Sequence, residues 1–199
     1  MSRPTKLSDL ADIANPANAL ATLRFTAVMV SQFESLRRSS YPGGHSLERG
    51  GTIVADETGH LHLQNIGGFG STRRTFSPDL SIKNPAKFTL VGTFHTHPYD
   101  EAEGSYNGVS LSGGDFSHLT LRWYLLSVVQ SGPRLFAILR TSATPCIPWT
   151  RHAAQTNEIY NRMTRGATFQ QASRIESQET AAQFGIAYYQ GSHGVLTRV

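Results

Sequence analysis

The strongest strand-like segment of the chain runs from Lys87 to His97 and is followed at once by a proline. Side chains alternate between the two faces of a strand, so His95 and His97 point the same way. Phe88, Leu90 and Phe94 are expected to point the other way, into a core. The two imidazoles are then about 6.6 Å apart along the strand, close enough to tilt onto one cation. The segment therefore predicts a sheet strand that ends in a pair of metal-binding histidines.

Around this strand, apolar residues recur with the period of a helix in some segments and of a strand in others. This order favours an α/β or α+β domain with a mixed sheet. Asn15 and Pro16 predict the start of an amphipathic helix that continues to Arg38, after a polar and loosely held start over residues 1–14. The other predicted elements are strands at 52–55 and 60–66, a loop at 67–85, a short helix at 112–121, a hairpin of 123–130 and 135–141, one or two helices at 151–184 with a break near Gly166, and a strand or extended arm at 186–199.

Composition constrains the number of domains, the cellular location and the partners of the chain. The 199 residues suit one domain, or one domain with a helical appendage. A single cysteine, Cys146, excludes an internal disulfide. No apolar stretch is long enough to cross a membrane and the first residues lack a signal-peptide pattern, so we expect a cytoplasmic protein or one secreted without a cleaved signal. The net charge is +4 and the basic residues are scattered, which does not favour a nucleic-acid partner.

A second informative segment, Ser112-Gly-Gly-Asp115, predicts the start of a short helix. A serine at the N-cap with an aspartate three residues later is similar to a capping box, and the electropositive helix start favours an ionised Asp115. Two histidines and one carboxylate are a common catalytic zinc set that leaves a fourth position open for water. Zinc lowers the pKa of such a water towards about 7. His95, His97 and Asp115 are therefore the candidate metal ligands.

A hydrolytic site of this kind also needs a base within hydrogen-bonding reach of the water. Glu48 is the best candidate, because it precedes two glycines and a strand, where the backbone can pass close to a site. Glu34 is expected on the solvent face of a helix, and Glu57 in a hairpin turn. Glu101 and Glu103, in the loop that follows the histidines, remain as competitors.

The glutamate ahead of a strand, the HTHP sequence and the SxxD sequence together resemble the JAMM (JAB1/MPN/Mov34) metalloprotease motif. In this chain the motif residues are Glu48, His95, His97, Ser112 and Asp115. The resemblance covers roughly residues 17 to 141, and the combination of HTHP with SxxD is more specific than either half. The layout is most similar to bacterial JAB-like domains, some of which occur in polymorphic toxins and secreted effectors.

The resemblance implies a cytidine-deaminase-like JAB/MPN fold, with a mixed curved sheet flanked by helices, and the cleavage of a peptide or isopeptide bond. It assigns a zinc ion to His95, His97 and Asp115. Glu48 becomes the general acid/base, and Ser112 helps to stabilise the oxyanion. The substrate would be a polypeptide, such as a ubiquitin-like conjugate or a peptidoglycan peptide, and an immunity or chaperone protein could be a further partner.

The same reasoning predicts an N-terminal extension (1–16), a JAB/MPN-like metalloprotease domain (17–150) and a C-terminal helical extension (151–199). Several alternatives remain open. The two histidines of HTHP could be surface residues on an edge strand, and His60 with His62 forms a rival pair on one strand face. The acidic loop 100–103 is expected to be solvated. The whole chain could instead be a non-catalytic binding module of this architecture, or a toxin domain that acts on nucleic acid.

Overall fold

The structure of the chain, a computed structural model, describes residues 3–121, 124–147 and 152–199. These residues form four α-helices and an eight-stranded mixed sheet that curls into a half-barrel, which confirms the predicted α+β class. The helices are α1 (Ala27–Arg38), α2 (Gly113–Leu121), α3 (His152–Thr164) and α4 (Phe169–Gln183). The strands are β1 (Thr22–Arg24), β2 (Gly50–Asp56), β3 (Leu61–Gln64), β4 (Gly70–Ser71), β5 (Phe76–Ser77), β6 (Phe88–Thr96), β7 (Leu126–Ser131), β8 (Arg134–Leu139), β9 (Ala187–Ser192) and β10 (Val195–Arg198).

The strands of the large sheet lie in the order β1-β10-β9-β8-β7-β6-β2-β3. β6 and β7 are parallel, and the other neighbouring pairs described are antiparallel. A parallel pair requires a crossover connection, which residues 97–125 provide with α2 among them. The start of α2 thereby returns to the end of β6 at which the histidines lie. β4 and β5 pair with each other in a separate two-stranded ribbon.

Apolar side chains cover both faces of the large sheet. On one face α1 packs against the strands, and Phe33 of α1 stacks on Phe94 of β6 with ring centroids 3.9 Å apart. On the other face α2 and α4 contribute Phe116 and Ala181 to a second buried cluster. Residues 91–94 of β6, which lead to the histidines, are therefore buried.

A β-bulge in β6 changes the face of one predicted core residue. Two adjacent residues of β2 pair with Gly92 and Leu90, so Val91 is an extra residue on the β6 side. Val91 joins Phe94 in the cluster under α1, whereas Leu90 packs against the cluster on the opposite face. The prediction that Leu90 and Phe94 share a face is therefore wrong, and the bulge is the reason.

The N-terminal segment differs most from its prediction. The helix expected to begin after Asn15 begins at Ala27, because Pro16–Asn18 forms only a 3-10 turn and Thr22–Arg24 pairs with β10. Pairing with the sheet outweighs the helical spacing of the side chains here. The expectation of a loosely held start is also wrong for the residues described, since Leu10 is completely buried in the core.

The predictions for the C-terminal part of the chain agree more closely with the structure. β7 and β8 form the expected hairpin, although residue 123 lies outside the described residues. α3 and α4 are the two expected helices, with Gly166 between them; residue 151 also lies outside the description. The predicted strand or arm at the end is the β9–β10 pair, which lies between β8 and β1. The division into 1–16, 17–150 and 151–199 stays a prediction, but the sheet takes strands from both sides of residue 150.

In the part of the chain that the structure describes, no helix is both long and apolar enough to cross a bilayer.

Candidate metal centre

His95 and His97 lie at the end of a strand that has a partner on each side. β6 pairs with β2 and β7, and the N–H of His97 continues this network by donating to the carbonyl of Gln130 (2.8 Å). Only 12% of the His95 side chain and 9% of the His97 side chain are exposed. The alternative of surface histidines on an edge strand is therefore wrong.

The donor atoms of His95, His97 and Asp115 converge on one point. Nε2 of His95 lies 3.1 Å from Nε2 of His97 and 3.0 Å from Oδ1 of Asp115, and Nε2 of His97 lies 3.6 Å from Oδ2 of Asp115. A tetrahedral zinc ion with ligands at roughly 2.0–2.1 Å holds the ligand atoms about 3.4 Å apart. The three side chains could therefore hold a metal ion, and no other such group of histidine, cysteine and carboxylate side chains occurs in the described residues.

The hydrogen bonding of His97 leaves its Nε2 available to a metal. Its Nδ1 lies 3.1 Å from the carbonyl oxygen of Ser110, which can only accept, so Nδ1 carries the proton. The lone pair of the neutral ring is then on Nε2, which faces His95 and Asp115. A hydrogen bond of this kind fixes both the tautomer and the orientation of a metal-binding imidazole.

A proton on His95 balances the charges within this group. Burial disfavours the imidazolium, but the charge of Asp115 and its hydrogen bond to the ring outweigh it and raise the pKa of His95 to about 9, with a smaller contribution from Glu48 when that group is ionised. Burial by itself would raise the pKa of Asp115, yet the charge on His95 holds it well below its usual range. Burial lowers the pKa of His97 to about 4, against the opposing charge of Asp115. A cation that binds here must displace the proton of His95.

Asp115 is oriented by the start of α2. The N–H and the hydroxyl of Ser112 both donate to Oδ2 of Asp115, at 2.6 and 2.8 Å. This is the reciprocal half of a capping box, with aspartate in the place of the usual glutamate. The expected helix start at Ser112 is confirmed, and its hydrogen bonds fix the carboxylate of Asp115, the third candidate ligand.

Glu48 lies just before β2, in a segment that is bonded to the strand of the histidines. The N–H of Arg49 donates to Oγ1 of Thr96, and the N–H of Thr96 donates to the carbonyl of Arg49, both at 2.8 Å. Thr96 lies between the two histidines, so this pairing brings Glu48 beside them. Glu48 is only 6% exposed. Burial raises the pKa of its carboxyl group to about 8, with a smaller contribution from the negative charge of Asp115 and against the positive charge of His95.

The glycine that follows this segment is required by close packing. Gly50 pairs with His95, and a Cβ at Gly50 would overlap the carbonyl oxygen of Phe94 and the ring of Phe76. Any other residue would push β2 away from β6. The pair of glycines after Glu48, which led to its choice from the sequence, therefore marks a close approach of two backbones at the site.

A cavity of about 410 Å³ opens over the ligands, and Glu48 and Ser112 both line it. One wall is the β4–β5 ribbon and its flanks, where the Phe76 ring lies 6.3 Å from the ring of His95 and within 17° of parallel. The other wall is α2, from which His118 reaches the cavity. All five residues proposed for the site from the sequence are therefore brought to one cavity.

The competing glutamates have other roles in the structure. Glu103 accepts from the hydroxyl of Ser46 (2.5 Å), and Glu34 accepts from the side chains of Arg37 (2.9 Å) and Gln130 (2.6 Å). Glu57 and Glu101 are exposed. None of these four glutamates lines the cavity over the ligands.

The acidic loop is partly buried, contrary to expectation. Asp100 is 5% exposed and accepts from the N–H of Ser46 (2.9 Å) and from the guanidinium of Arg73 (3.0 Å). It thereby ties the loop after the histidines to the segment before Glu48 and to the ribbon. His62 of the rival pair is bonded to Asp56 (2.7 Å) instead of sharing a metal point with His60.

His118 and Phe76 are two of the cavity residues that the sequence did not indicate. His118 is three residues after Asp115 on α2, and this i, i+3 spacing could have placed it on the same helix face. Phe76 gave no signal, because its position depends on a ribbon inside a segment predicted to be a loop.

No family model matches the sequence, and no curated protein matches it either. The site is therefore interpreted from its own geometry. It combines three side chains that could hold a metal ion, a buried carboxyl group with a raised pKa, and a cavity that both line.

Proposed function

We propose that the chain is a zinc-dependent peptidase or isopeptidase of the JAMM type, which hydrolyses an amide bond of a polypeptide. One observation carries the proposal: the donor atoms of His95, His97 and Asp115 lie within 3.0–3.6 Å of a neighbouring donor, with the buried Glu48 lining the same cavity. The half-barrel mixed sheet with helices on both faces is compatible with the cytidine-deaminase-like fold that the motif implies.

The donor set fits zinc better than the hard cations. Two imidazole nitrogens and one carboxylate suit zinc, whereas magnesium and calcium prefer oxygen ligands. Three protein ligands are also the number found in catalytic zinc sites, which keep one position open. A bound zinc ion would act as a Lewis acid towards the substrate carbonyl and would lower the pKa of nearby water and of Glu48.

Glu48 would act as the general acid/base. In the described residues no hydrogen bond or ion pair engages its carboxylate, so its oxygens are available to an attacking water. Its raised pKa, about 8, brings it into the range where a carboxyl group can both take and give a proton near neutral pH. Glu48 would take the proton of the water and then pass it to the nitrogen of the leaving amine.

Ser112 would bind the oxyanion that develops on the substrate carbonyl. Ser112 lines the cavity and its hydroxyl donates to Asp115 (2.8 Å), so this role requires the hydroxyl to change its acceptor. Asp115 would keep the hydrogen bond from the N–H of Ser112 (2.6 Å) while the hydroxyl turns.

The burial of Glu48 favours an enzyme over a non-catalytic binding module. A buried carboxylate without a partner costs free energy, and a scaffold would gain nothing from keeping it. The substrate class that we propose is a polypeptide, either a ubiquitin-like conjugate or a peptidoglycan peptide. By the resemblance, the chain would belong to the JAB-like domains of bacterial toxins or effectors, act in the cytoplasm or after secretion without a cleaved signal, and bind an immunity or chaperone protein.

The test combines zinc content with amide hydrolysis. We expect Glu48→Gln to hold as much zinc as the wild type at saturating zinc, measured by plasma mass spectrometry, and to hydrolyse fluorogenic linear and lysine-isopeptide substrates about 10²- to 10⁴-fold more slowly. Glu57→Gln, which changes an exposed glutamate in a turn, is the matched control and should keep full activity. Undiminished turnover by Glu48→Gln would reject the assignment.

A further inference from the structure

We propose that α4 and β9 position the metal centre, with Ser173, Ser177 and Tyr188 as positioning residues for the loop that carries Ser110. The inference rests on the proposed metal site. It extends that site to the C-terminal segment, for which the motif gives no role. The three side chains act through the loop and not by contact with a metal.

The loop at residues 108–112 holds two of the three ligands in place. The carbonyl of Ser110 accepts from Nδ1 of His97 (3.1 Å), and Ser112 donates to the carboxylate of Asp115. The loop lies outside the helices and strands, and its first two residues are held by Ser131: the N–H of Gly108 donates to the carbonyl of Ser131 (3.1 Å) and the N–H of Val109 donates to its Oγ (3.2 Å). The next two residues, Ser110 and Leu111, are bonded instead to side chains that lie outside the loop.

Two serines of α4 bind this loop from one side. The N–H of Ser110 donates to Oγ of Ser173 (3.0 Å). The hydroxyl of Ser177 is within reach of two carbonyl acceptors, that of Leu111 in the loop (2.9 Å) and that of Ser173 in its own helix (2.8 Å). Ser173 and Ser177 are four residues apart, hence on the same face of α4, and both are buried. Two consecutive loop residues are thus bonded to consecutive turns of one helix.

β9 adds a third contact from the sheet. The hydroxyl of Tyr188 lies 2.8 Å from the hydroxyl of Ser110, and both residues are buried. The backbone N–H, the side chain and the carbonyl of Ser110 are then all hydrogen-bonded, the first to α4, the second to β9 and the third to His97. In a buried network of this kind, losing one partner leaves a polar group unsatisfied, so the loop must shift to recover it.

The expected consequence is a change in metal affinity. Removing a group that orients a ligand from the outer shell typically weakens metal binding about 10- to 100-fold. We expect Ser173→Ala to weaken Zn²⁺ binding by about tenfold or more, because the N–H of Ser110 loses its acceptor. Tyr188→Phe keeps the ring and removes only the hydroxyl, so the loss should be in the same direction but smaller, roughly threefold to tenfold.

The experiment measures Zn²⁺ affinity by competition with a chromophoric chelator, and the visible absorption of the Co²⁺-substituted protein as a report on ligand geometry. The matched control is Thr180→Val. Thr180 is buried on the same helix, but its hydroxyl donates to Glu176 (3.4 Å) and not to the loop. We expect Thr180→Val to keep the wild-type Zn²⁺ affinity and Co²⁺ spectrum, whatever it does to the melting temperature.

The outcomes separate this inference from the proposed function. If Ser173→Ala binds Zn²⁺ as tightly as the wild type, or if Thr180→Val weakens binding equally, the positioning role is wrong while the metal centre stands. If Ser173→Ala does not fold, the same comparison between Tyr188→Phe and Thr180→Val decides. If wild type and His95→Ala bind Zn²⁺ equally, the metal centre itself is wrong and the inference falls with it.

Discussion

Replacing Glu48 by glutamine should stabilise the metal-free protein, by an amount that grows with pH. The carboxyl group has an ordinary pKa of 4.5 in the unfolded chain and about 8 in the folded one. Above pH 4.5 the unfolded chain releases this proton and the folded chain keeps it. The free-energy cost to folding therefore grows as the pH rises towards 8 and is constant above pH 8. At 1.36 kcal/mol for each pKa unit, the cost is about 3 kcal/mol at pH 7 and under about 1 kcal/mol at pH 5.

Glutamine has nearly the same size and no charge, so Glu48→Gln removes this cost. For a chain of this length we expect the melting temperature at pH 7 to rise by about 6–12 °C and at pH 5 by no more than about 4 °C. The assay is thermal and urea unfolding of chelator-treated protein at pH 5, 6, 7 and 8, with the exposed Glu57→Gln as the control that should follow the wild type. Saturating zinc should reduce the gain, because a nearby cation favours the ionised carboxylate. A gain that is absent at pH 7, or equal at pH 5 and pH 8, would refute the claim that burial holds Glu48 protonated.

Three further outcomes follow from the same geometry. Zinc affinity should rise roughly tenfold per pH unit between about pH 5 and 8, because His95, with a pKa of about 9, must lose its proton to bind; competition titrations that show no pH dependence would contradict this. Asp115→Asn should lower the pKa of His95 in an NMR titration and reduce zinc occupancy, and an unchanged pKa would exclude the ion pair. Gly50→Ala should cost about 1–3 kcal/mol in urea unfolding through its overlap with neighbouring backbone, whereas Gly70→Ala, which points into open space, should not.

The site could be predicted because its signals are local. Alternation along one strand places His95 and His97 on one side, and a serine followed by aspartate at a helix start fixes Asp115. The two glycines after Glu48 predict a close backbone approach, and Gly50 makes one. Each of these patterns depends on a few neighbouring residues, so the sequence contains what is needed to interpret it.

The parts that could not be predicted depend on distant pairing. Strand β1 has the side-chain spacing of a helix, and it is extended because β10, from the other end of the chain, pairs with it. Leu90 changes face because β2 pairs with β6 through a bulge. Asp100 is buried because loops from three parts of the chain meet on its carboxylate. Contacts across such sequence separations are not visible in local periodicity.

The central claim is that two imidazoles and one carboxylate hold a single zinc ion beside Glu48. Crystals grown with zinc and measured on both sides of the zinc absorption edge test it most directly. We expect one strong anomalous peak at roughly 2.0–2.2 Å from Nε2 of His95, Nε2 of His97 and a carboxylate oxygen of Asp115. An anomalous map with no peak at this point, or with its strongest peak at His60 and His62, would contradict the account.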